Sequence, residues 1–175
     1  MKIETWMWLL PVVFMLHDFE EIIFLPGWLR ENAADLKKRL PARLGAIIDG
    51  QKNLSPAAFS LAVAEEFLIL SGVTLLAVER GWYDLWAGLL AAFGLHLVVH
   101  IVQWAALGRT LPVIFTSVPA LVYCGLALRA LGQAGLLTLD KMMIWTAAGV
   151  LLVAVNLIFA LWLGRQLDRR TGYGR

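Results

Sequence analysis

Apolar segments long enough to cross a bilayer recur along this chain of 175 residues, and they constrain its fold more than any other feature. A helix needs about 20 consecutive apolar residues to cross the hydrocarbon core of a membrane. The chain is 60% hydrophobic with a mean hydropathy of +0.73, well above the usual values for a soluble globular protein. We therefore predict an all-α integral membrane protein, a helical bundle formed by a single domain (residues 1–175), in the cytoplasmic membrane.

Five transmembrane helices are predicted from these segments and from the signals at their ends. Pro26-Gly27 is expected to end the first helix. Ser55 and Pro56 form a typical helix start, with Ser55 as the cap and Pro56 in the first turn. The predicted spans cover approximately residues 5–25, 56–78, 84–107, 111–131 and 140–164.

Lysine and arginine are distributed unequally between the two faces of a membrane that these five helices cross. One face carries 11 of them, in residues 28–55, at Arg109 and in the tail, and the other face carries 4. Cytoplasmic segments of membrane proteins are enriched in lysine and arginine. The predicted topology therefore has its amino terminus outside and its carboxyl terminus in the cytoplasm.

The long connection 28–55 is predicted to form an amphipathic helix on the cytoplasmic surface, broken at Pro41. Its apolar residues recur at helical spacing, with lysine and arginine between them. Two interpretations are open: a basic loop that sets the topology, or a lid that contacts lipid headgroups beside a lipid-facing site. The apolar residues are Leu36, Leu40, Leu44, Ile47 and Ile48.

Seven ionisable side chains are predicted at similar depth inside three spans, and no lysine or arginine lies beside them. With a rise of about 1.5 Å per residue, they lie roughly 8–17 Å from the cytoplasmic ends of their spans. The spacings i, i+3 and i+4 place such side chains on one helix face. These residues are His17, Glu20 and Glu21 in the first span, Glu65 and Glu66 in the second, and His96 and His100 in the third.

This shared layer favours a metal site. A carboxylate at the centre of a membrane costs about 2.5–3.5 kcal/mol, so four glutamates need protons or a metal to neutralise them. Imidazole and carboxylate groups are ligands of zinc, iron or manganese, and seven of them suit two metals better than one. Proton transfer without metal and simple interhelical hydrogen bonding are the alternatives.

Other polar residues in the spans are interpreted as less direct participants. Asp18 is expected to point away from the His17 face. Gln103 and Asn156 are candidates for orienting a ligand from outside the metal's own ligand set. Ser60, Thr116 and Ser117 are interpreted as residues that hydrogen-bond between helices, and Cys124 as a small buried apolar residue.

The motif His17-Asp18-Phe19-Glu20-Glu21, followed by the Glu65-Glu66 pair and by His96 and His100, resembles the bacterial and archaeal family named for its His-x-x-Glu-Glu motif. The resemblance covers the first three spans. It implies a small multi-span membrane protein that is an enzyme, and it brings no substrate with it.

A second resemblance is to the intramembrane glutamate proteases of the prenyl-endopeptidase type, which use a Glu-Glu pair and histidines without metal. Glu65-Glu66 and His96 follow that order. Two departures count against it: Leu70 stands where that family has an arginine, and Gln103 follows His100 where it has an asparagine.

The sequence therefore predicts a membrane-embedded enzyme that uses one or two divalent transition metals, zinc or iron and less readily manganese. Glu20 or Glu66 is expected to act as general base, in hydrolysis or in oxidation by paired iron. The expected substrate is a lipid or another hydrophobic small molecule; a nucleic-acid partner is not expected, and a homo-oligomer is compatible with the sequence. The alternatives are a metal-free acid–base enzyme (an intramembrane protease or a lipid isomerase), a proton- or cation-coupled transporter, and a scaffolding protein.

Overall fold

Six α-helices make up most of the protein in the computed structural model, which describes residues 1–39, 41–42 and 45–172, without the side chains of residues 46, 47 and 52. The described residues contain no β-strand, which confirms the predicted all-α class. The helices are α1 (Ile3–Arg39), α2 (Gly45–Lys52), α3 (Pro56–Arg80), α4 (Tyr83–Leu107), α5 (Ile114–Gln133) and α6 (Leu139–Thr171).

Four of these helices, α3 to α6, are long and apolar enough to cross a membrane, as in a multi-pass membrane protein. The predicted count of five spans is therefore corrected to four among the described residues. Helix α1 has the length, but its apolar stretch contains Asp18, Glu20 and Glu21, so its composition is not that of a span.

Helix α1 does not end at Pro26-Gly27 as predicted but continues to Arg39. A proline inside a helix removes one backbone hydrogen bond, and packing can offset that loss. Here the turns beyond Pro26 bury Leu29, Ala33 and Leu36 against Ile48 of α2. Helix α1 ends at Arg39, close to Pro41, where the break was predicted. The predicted apolar positions Leu40 and Leu44 and the side chain of Ile47 lie outside what the structure describes.

The helix-start signal at Ser55 is confirmed, because the Ser55 hydroxyl accepts the backbone N–H of Ala58 at 3.0 Å. Helix α6 extends seven residues beyond the predicted end at 164. The extension is held in place by Asp168, whose carboxylate accepts the Ser55 N–H at 3.0 Å and the Ser55 hydroxyl.

The five long helices pack in a ring. Helix α1 packs against α3 and α5, α6 packs against α3 and α4, and α4 also packs against α5 and, less extensively, against α3. Around the ring the order is α1, α3, α6, α4, α5, so α1 and α4 face each other across the interior rather than side by side. Side chains that these two helices send inward can therefore meet only in the middle of the bundle.

The two ends of the ring differ in charge. At one end, which we call the basic end, the last turns of α1, helix α2, the α4–α5 connection and the last turns of α6 come together. Arg109 of the connection pairs there with Asp35 at 3.1 Å and donates to Asn32 at 2.9 Å. At the opposite end Lys141 pairs with Asp84 at 3.0 Å.

Helices α4 and α6 approach each other closely because both have glycine at the crossing. A Cβ added at Gly88 would lie 2.2 Å from the Trp145 carbonyl oxygen, and one added at Gly149 would lie 2.3 Å from the Gly88 carbonyl oxygen. Both contacts are with backbone, which cannot rotate away. The crossing therefore requires glycine at both positions.

Candidate metal centre

Helix α1 presents His17, Glu20 and Glu21 to the interior of the ring, as their spacing predicts. All three side chains are buried, His17 completely. Asp18, which was predicted to point away from the His17 face, is buried as well. One of its carboxylate oxygens has no hydrogen-bond partner among the described residues, and the side chain is within electrostatic range of Glu21 and Glu66.

Helix α4 contributes His96 and His100, one turn apart on the face that looks across the ring at α1. Their Nε2 atoms are 2.9 Å apart, and the rings meet edge to face. His100 is buried, whereas 44% of the His96 side chain is exposed. The pair therefore reaches from the interior of the bundle to an accessible surface.

The three imidazoles converge on one carboxylate oxygen, Oε1 of Glu21. Its distances to the Nε2 atoms of His17, His96 and His100 are 3.4, 3.4 and 2.8 Å. The Nε2 atoms of His17 and His96 are 3.4 Å apart. These four ligand atoms all lie within 4.8 Å of one another.

This arrangement fits a four-coordinate metal. In a regular tetrahedron the edge is about 1.63 times the distance from centre to corner, so metal–ligand bonds of about 2.0–2.1 Å require ligand atoms about 3.3–3.4 Å apart. Three of the five distances given above are 3.4 Å. The two shorter ones, 2.8 and 2.9 Å, both involve Nε2 of His100. A shift of the His100 imidazole by about 0.5 Å would bring these two distances to the value expected for a tetrahedral site.

Glu20 does not join this group, because Thr116 in the first turn of α5 holds it. The Thr116 N–H donates to Oε2 of Glu20 at 2.9 Å, and the Thr116 hydroxyl donates to the same oxygen. A hydroxyl has one proton, so its 2.9 Å contact with Nδ1 of His17 must be one in which the imidazole donates. His17 therefore carries its proton on Nδ1, and the lone pair on Nε2 points at the cluster. Such outer hydrogen bonds commonly orient metal-binding histidines.

The two members of the second glutamate pair, on α3, also differ in their hydrogen bonds. Glu65 accepts a hydrogen bond from the Asn156 side chain of α6 at 3.0 Å. Glu66 has no hydrogen bond or ion pair with another described residue, and its carboxylate lies within electrostatic range of Glu21 and His96. Glu66 thus borders the cluster without belonging to the group of four.

The remaining polar candidates lie away from the cluster. Gln103 is exposed on α4. Ser60 and Ser117 donate to carbonyl oxygens of their own helices, those of Pro56 and Val113, at 2.8 and 2.6 Å. Cys124 is buried in the apolar core, in agreement with its interpretation.

The interhelical hydrogen bonding predicted for Thr116 is confirmed, but its partners, Glu20 and His17, were not predicted. Depth was the available signal. Counted from the predicted span start at 111, Thr116 lies about 8 Å deep, the level calculated for Glu20. A hydroxyl at the depth of the acids could have been included with them.

The family model described as "Protein of unknown function with HXXEE motif" matches residues 8–128. No curated protein and no solved structure matches the chain. The matched region includes the four clustered residues, both glutamate pairs and Thr116, whereas Asn156 lies beyond it. The match covers well over half of the chain and agrees with the resemblance noted from the motifs, so this protein belongs to the HXXEE-motif family.

Proposed function

We propose that this protein is a membrane-embedded, metal-dependent enzyme, a hydrolase that acts on a hydrophobic or lipid substrate. The observation that carries the proposal is the convergence of three imidazole nitrogens and one carboxylate oxygen, from helices on opposite sides of the ring. Hydrogen bonding between helices would need only one imidazole N–H on Oε1 of Glu21, whereas three Nε2 atoms lie within 3.4 Å of that oxygen.

The proposed site holds one metal rather than two. Among the described residues only one group of four has ligand spacing, and Glu20 and Glu65 are engaged with Thr116 and Asn156. Three nitrogen ligands and one oxygen ligand at tetrahedral spacing favour zinc over iron or manganese. This supports hydrolysis over oxidation by paired iron. A divalent metal in such a site supplies Lewis acidity.

Glu66 is the proposed general base. It borders the cluster, and no described side chain donates to it, so its carboxylate is free to take a proton. Glu20, the other candidate from the sequence, is occupied by the backbone and hydroxyl of Thr116 and positions His17 instead.

The substrate is proposed to enter sideways from the hydrocarbon layer. Of the four clustered side chains only His96 is substantially exposed, and it lies on a helix whose exposed neighbours are apolar, including Leu95 and Val99. A long apolar substrate reaches His96 from that side without crossing a polar barrier.

The basic end of the ring is proposed to face the cytoplasm. The contact of Arg109 with Asp35 joins the end of α1 to the α4–α5 connection, and that of Ser55 with Asp168 joins the end of α6 to the start of α3. Residues 28–55, Arg109 and the tail contain most of the lysine and arginine of the chain. The positive-inside rule supports this orientation whether or not α1 counts as a span. The amino terminus would lie outside in this orientation only if α1 crosses the membrane together with α3 to α6.

Elemental analysis of detergent-purified protein tests the proposal. We expect close to one zinc per chain in the wild type, almost none in a His96→Ala/His100→Ala double variant, and the wild-type content in the matched control Gln103→Ala, one turn along α4. Hydrolysis of a long-chain 4-nitrophenyl ester in micelles, lost on chelation and restored by zinc, tests the reaction. Absence of stoichiometric metal contradicts the proposal and favours a metal-free acid–base enzyme, or a transporter if liposomes then show cation flux that Glu66→Gln abolishes.

A further inference from the structure

A polar cavity lies at the basic end, away from the His/Glu cluster. It has a volume of about 600 Å³, within the range of small-molecule sites. Helix α2, the α2–α3 connection and the last turns of α6 form its wall. The lining residues are Asp49, Gly50, Asn53, Leu54, Arg165, Asp168, Arg169 and Gly172.

Two arginines and two aspartates line the cavity. Asp168 is engaged with the backbone and hydroxyl of Ser55, and Asp49 pairs with Lys37 at 2.5 Å. Neither Arg165 nor Arg169 makes an ion pair or a side-chain hydrogen bond with any other residue that the structure describes. Both acids are therefore engaged with groups outside the cavity while the two guanidinium groups have no described partner, a setting that suits an anionic ligand.

The position of the cavity is that of a membrane surface. The half-exposed Trp162 lies one turn before Arg165 on α6, and tryptophan is enriched where hydrocarbon meets headgroups. Arginine one turn beyond such a tryptophan lies at the level of lipid phosphates.

A small apolar crevice of about 20 Å³ lies beside the cavity. Leu54 lines both, and the other walls of the crevice include Leu25 and Leu29 of α1, Phe59 of α3 and Leu161 of α6. The crevice is too small for an acyl chain, so the apolar part of a ligand in the cavity would lie outside the crevice, against the exposed Trp162.

We propose that this cavity binds the phosphate headgroup of an anionic phospholipid through Arg165 and Arg169, with the acyl chains in the bilayer beside Trp162. The site is separate from the His/Glu cluster and does not depend on it.

Native mass spectrometry of the detergent-solubilised full chain, titrated with phosphatidylglycerol, tests the headgroup site. We expect an Arg165→Gln/Arg169→Gln variant to bind the lipid about 30-fold more weakly, from about fivefold for each arginine at a membrane surface. Arg170→Gln, adjacent on α6 but outside the cavity lining, is the matched control and should bind as the wild type does. Equal binding by the double variant and this control overturns the proposal.

Gly50→Leu provides a second test that leaves both arginines in place and decides the question if the double variant fails to fold. A Cβ at Gly50 lies 3.1 Å from Nη2 of Arg165, so a leucine there fills the cavity from the α2 side. We expect it to weaken phosphatidylglycerol binding at least tenfold. Wild-type binding by Gly50→Leu overturns the proposal.

Two further titrations separate the possible sources of the anion and the two proposals. Inorganic phosphate should not displace phosphatidylglycerol at millimolar concentration, and displacement by phosphate alone overturns the assignment to a lipid. The His96→Ala/His100→Ala variant should lose zinc and keep lipid binding, whereas the arginine double variant should keep zinc. Failure of the metal proposal and failure of the lipid proposal would therefore give different combinations of zinc content and lipid binding.

Discussion

The chain uses the dipeptide Glu-Glu twice inside the bundle, at Glu20-Glu21 on α1 and at Glu65-Glu66 on α3. In each pair one glutamate receives a hydrogen bond from a neighbouring helix, Glu20 from Thr116 and Glu65 from Asn156. The other glutamate of each pair faces the imidazoles. The first pair is buried and its inward member contacts all three histidines, whereas the second is only partly buried and its inward member stands beside them.

The difference shows how one sequence motif can serve two roles. Successive residues on a helix diverge by about 100°, so a Glu-Glu pair always sends its two carboxylates in different directions. Which carboxylate binds a metal and which is anchored depends on the donors that neighbouring helices provide. We interpret Glu21 as a ligand, Glu66 as a base, and Glu20 and Glu65 as anchors.

The largest effect is expected when each member of the first pair is replaced in turn and the two variants are compared. Glu21→Gln removes a metal ligand and the negative charge that faces three imidazoles, so zinc affinity should fall by more than about 100-fold. Glu20→Gln alters only an outer hydrogen bond and should cost about 10-fold. Competition with a chelator of known affinity measures both. Equal losses in the two variants would show that Glu20 also binds the metal.

The second pair should separate catalysis from metal binding. Glu66→Gln is expected to lower the rate of ester hydrolysis by roughly 10²–10⁴-fold, the usual contribution of a general base, with zinc content unchanged. The adjacent Glu65→Gln is the control and should retain most of the activity. A zinc-free Glu66→Gln protein would instead make Glu66 a ligand.

Thr116 tests whether Glu20 acts through His17. Thr116→Val removes the hydroxyl that joins Glu20 to Nδ1 of His17 while keeping the shape of the side chain, and zinc affinity should fall about 10-fold. Thr116→Ser retains the hydroxyl and should keep the wild-type zinc affinity. If Thr116→Val lowers thermal stability while zinc affinity stays at the wild-type value, the hydroxyl serves only to hold the helices together.

Asn156 should give the smallest effect. Asn156→Leu removes the hydrogen bond to Glu65, worth about 1 kcal/mol, at a partly exposed position. We expect a small decrease in the thermal unfolding temperature in detergent and no change in zinc affinity. A loss of zinc comparable with that of Thr116→Val would show that the hydrogen bond to Glu65 supports the metal site as much as the one to Glu20 does.

Much of the site could be predicted because helical spacing is local. The intervals from His17 to Glu21 and from His96 to His100 are one turn each, which assigns them to single helix faces before any packing is known. Apolar length likewise predicted α3 and α4 to within a few residues, and Ser55 identified a helix start.

The parts that could not be predicted depend on contacts between distant segments. Nothing near Pro26 in the sequence shows that α2 will pack against Leu29 and Leu36, and this packing is what continues α1. The division of labour within each glutamate pair depends on Thr116 and Asn156, which lie about 90 residues further along the chain. The preference for two metals counted all seven residues as ligands, and the contacts of Glu20 and Glu65 with other helices could not be known from the sequence.

The glycine crossing of α4 and α6 sets the alignment of the metal ligands from a distance. Gly88 and His96 are eight residues apart on one rigid helix, a lever arm of about 12 Å, so a tilt of about 5° at the crossing displaces His96 by about 1 Å. A metal site tolerates only a few tenths of an ångström in its ligand positions. Gly88 and Gly149, two residues without side chains, therefore affect how accurately His96 and His100 could be placed around the proposed metal.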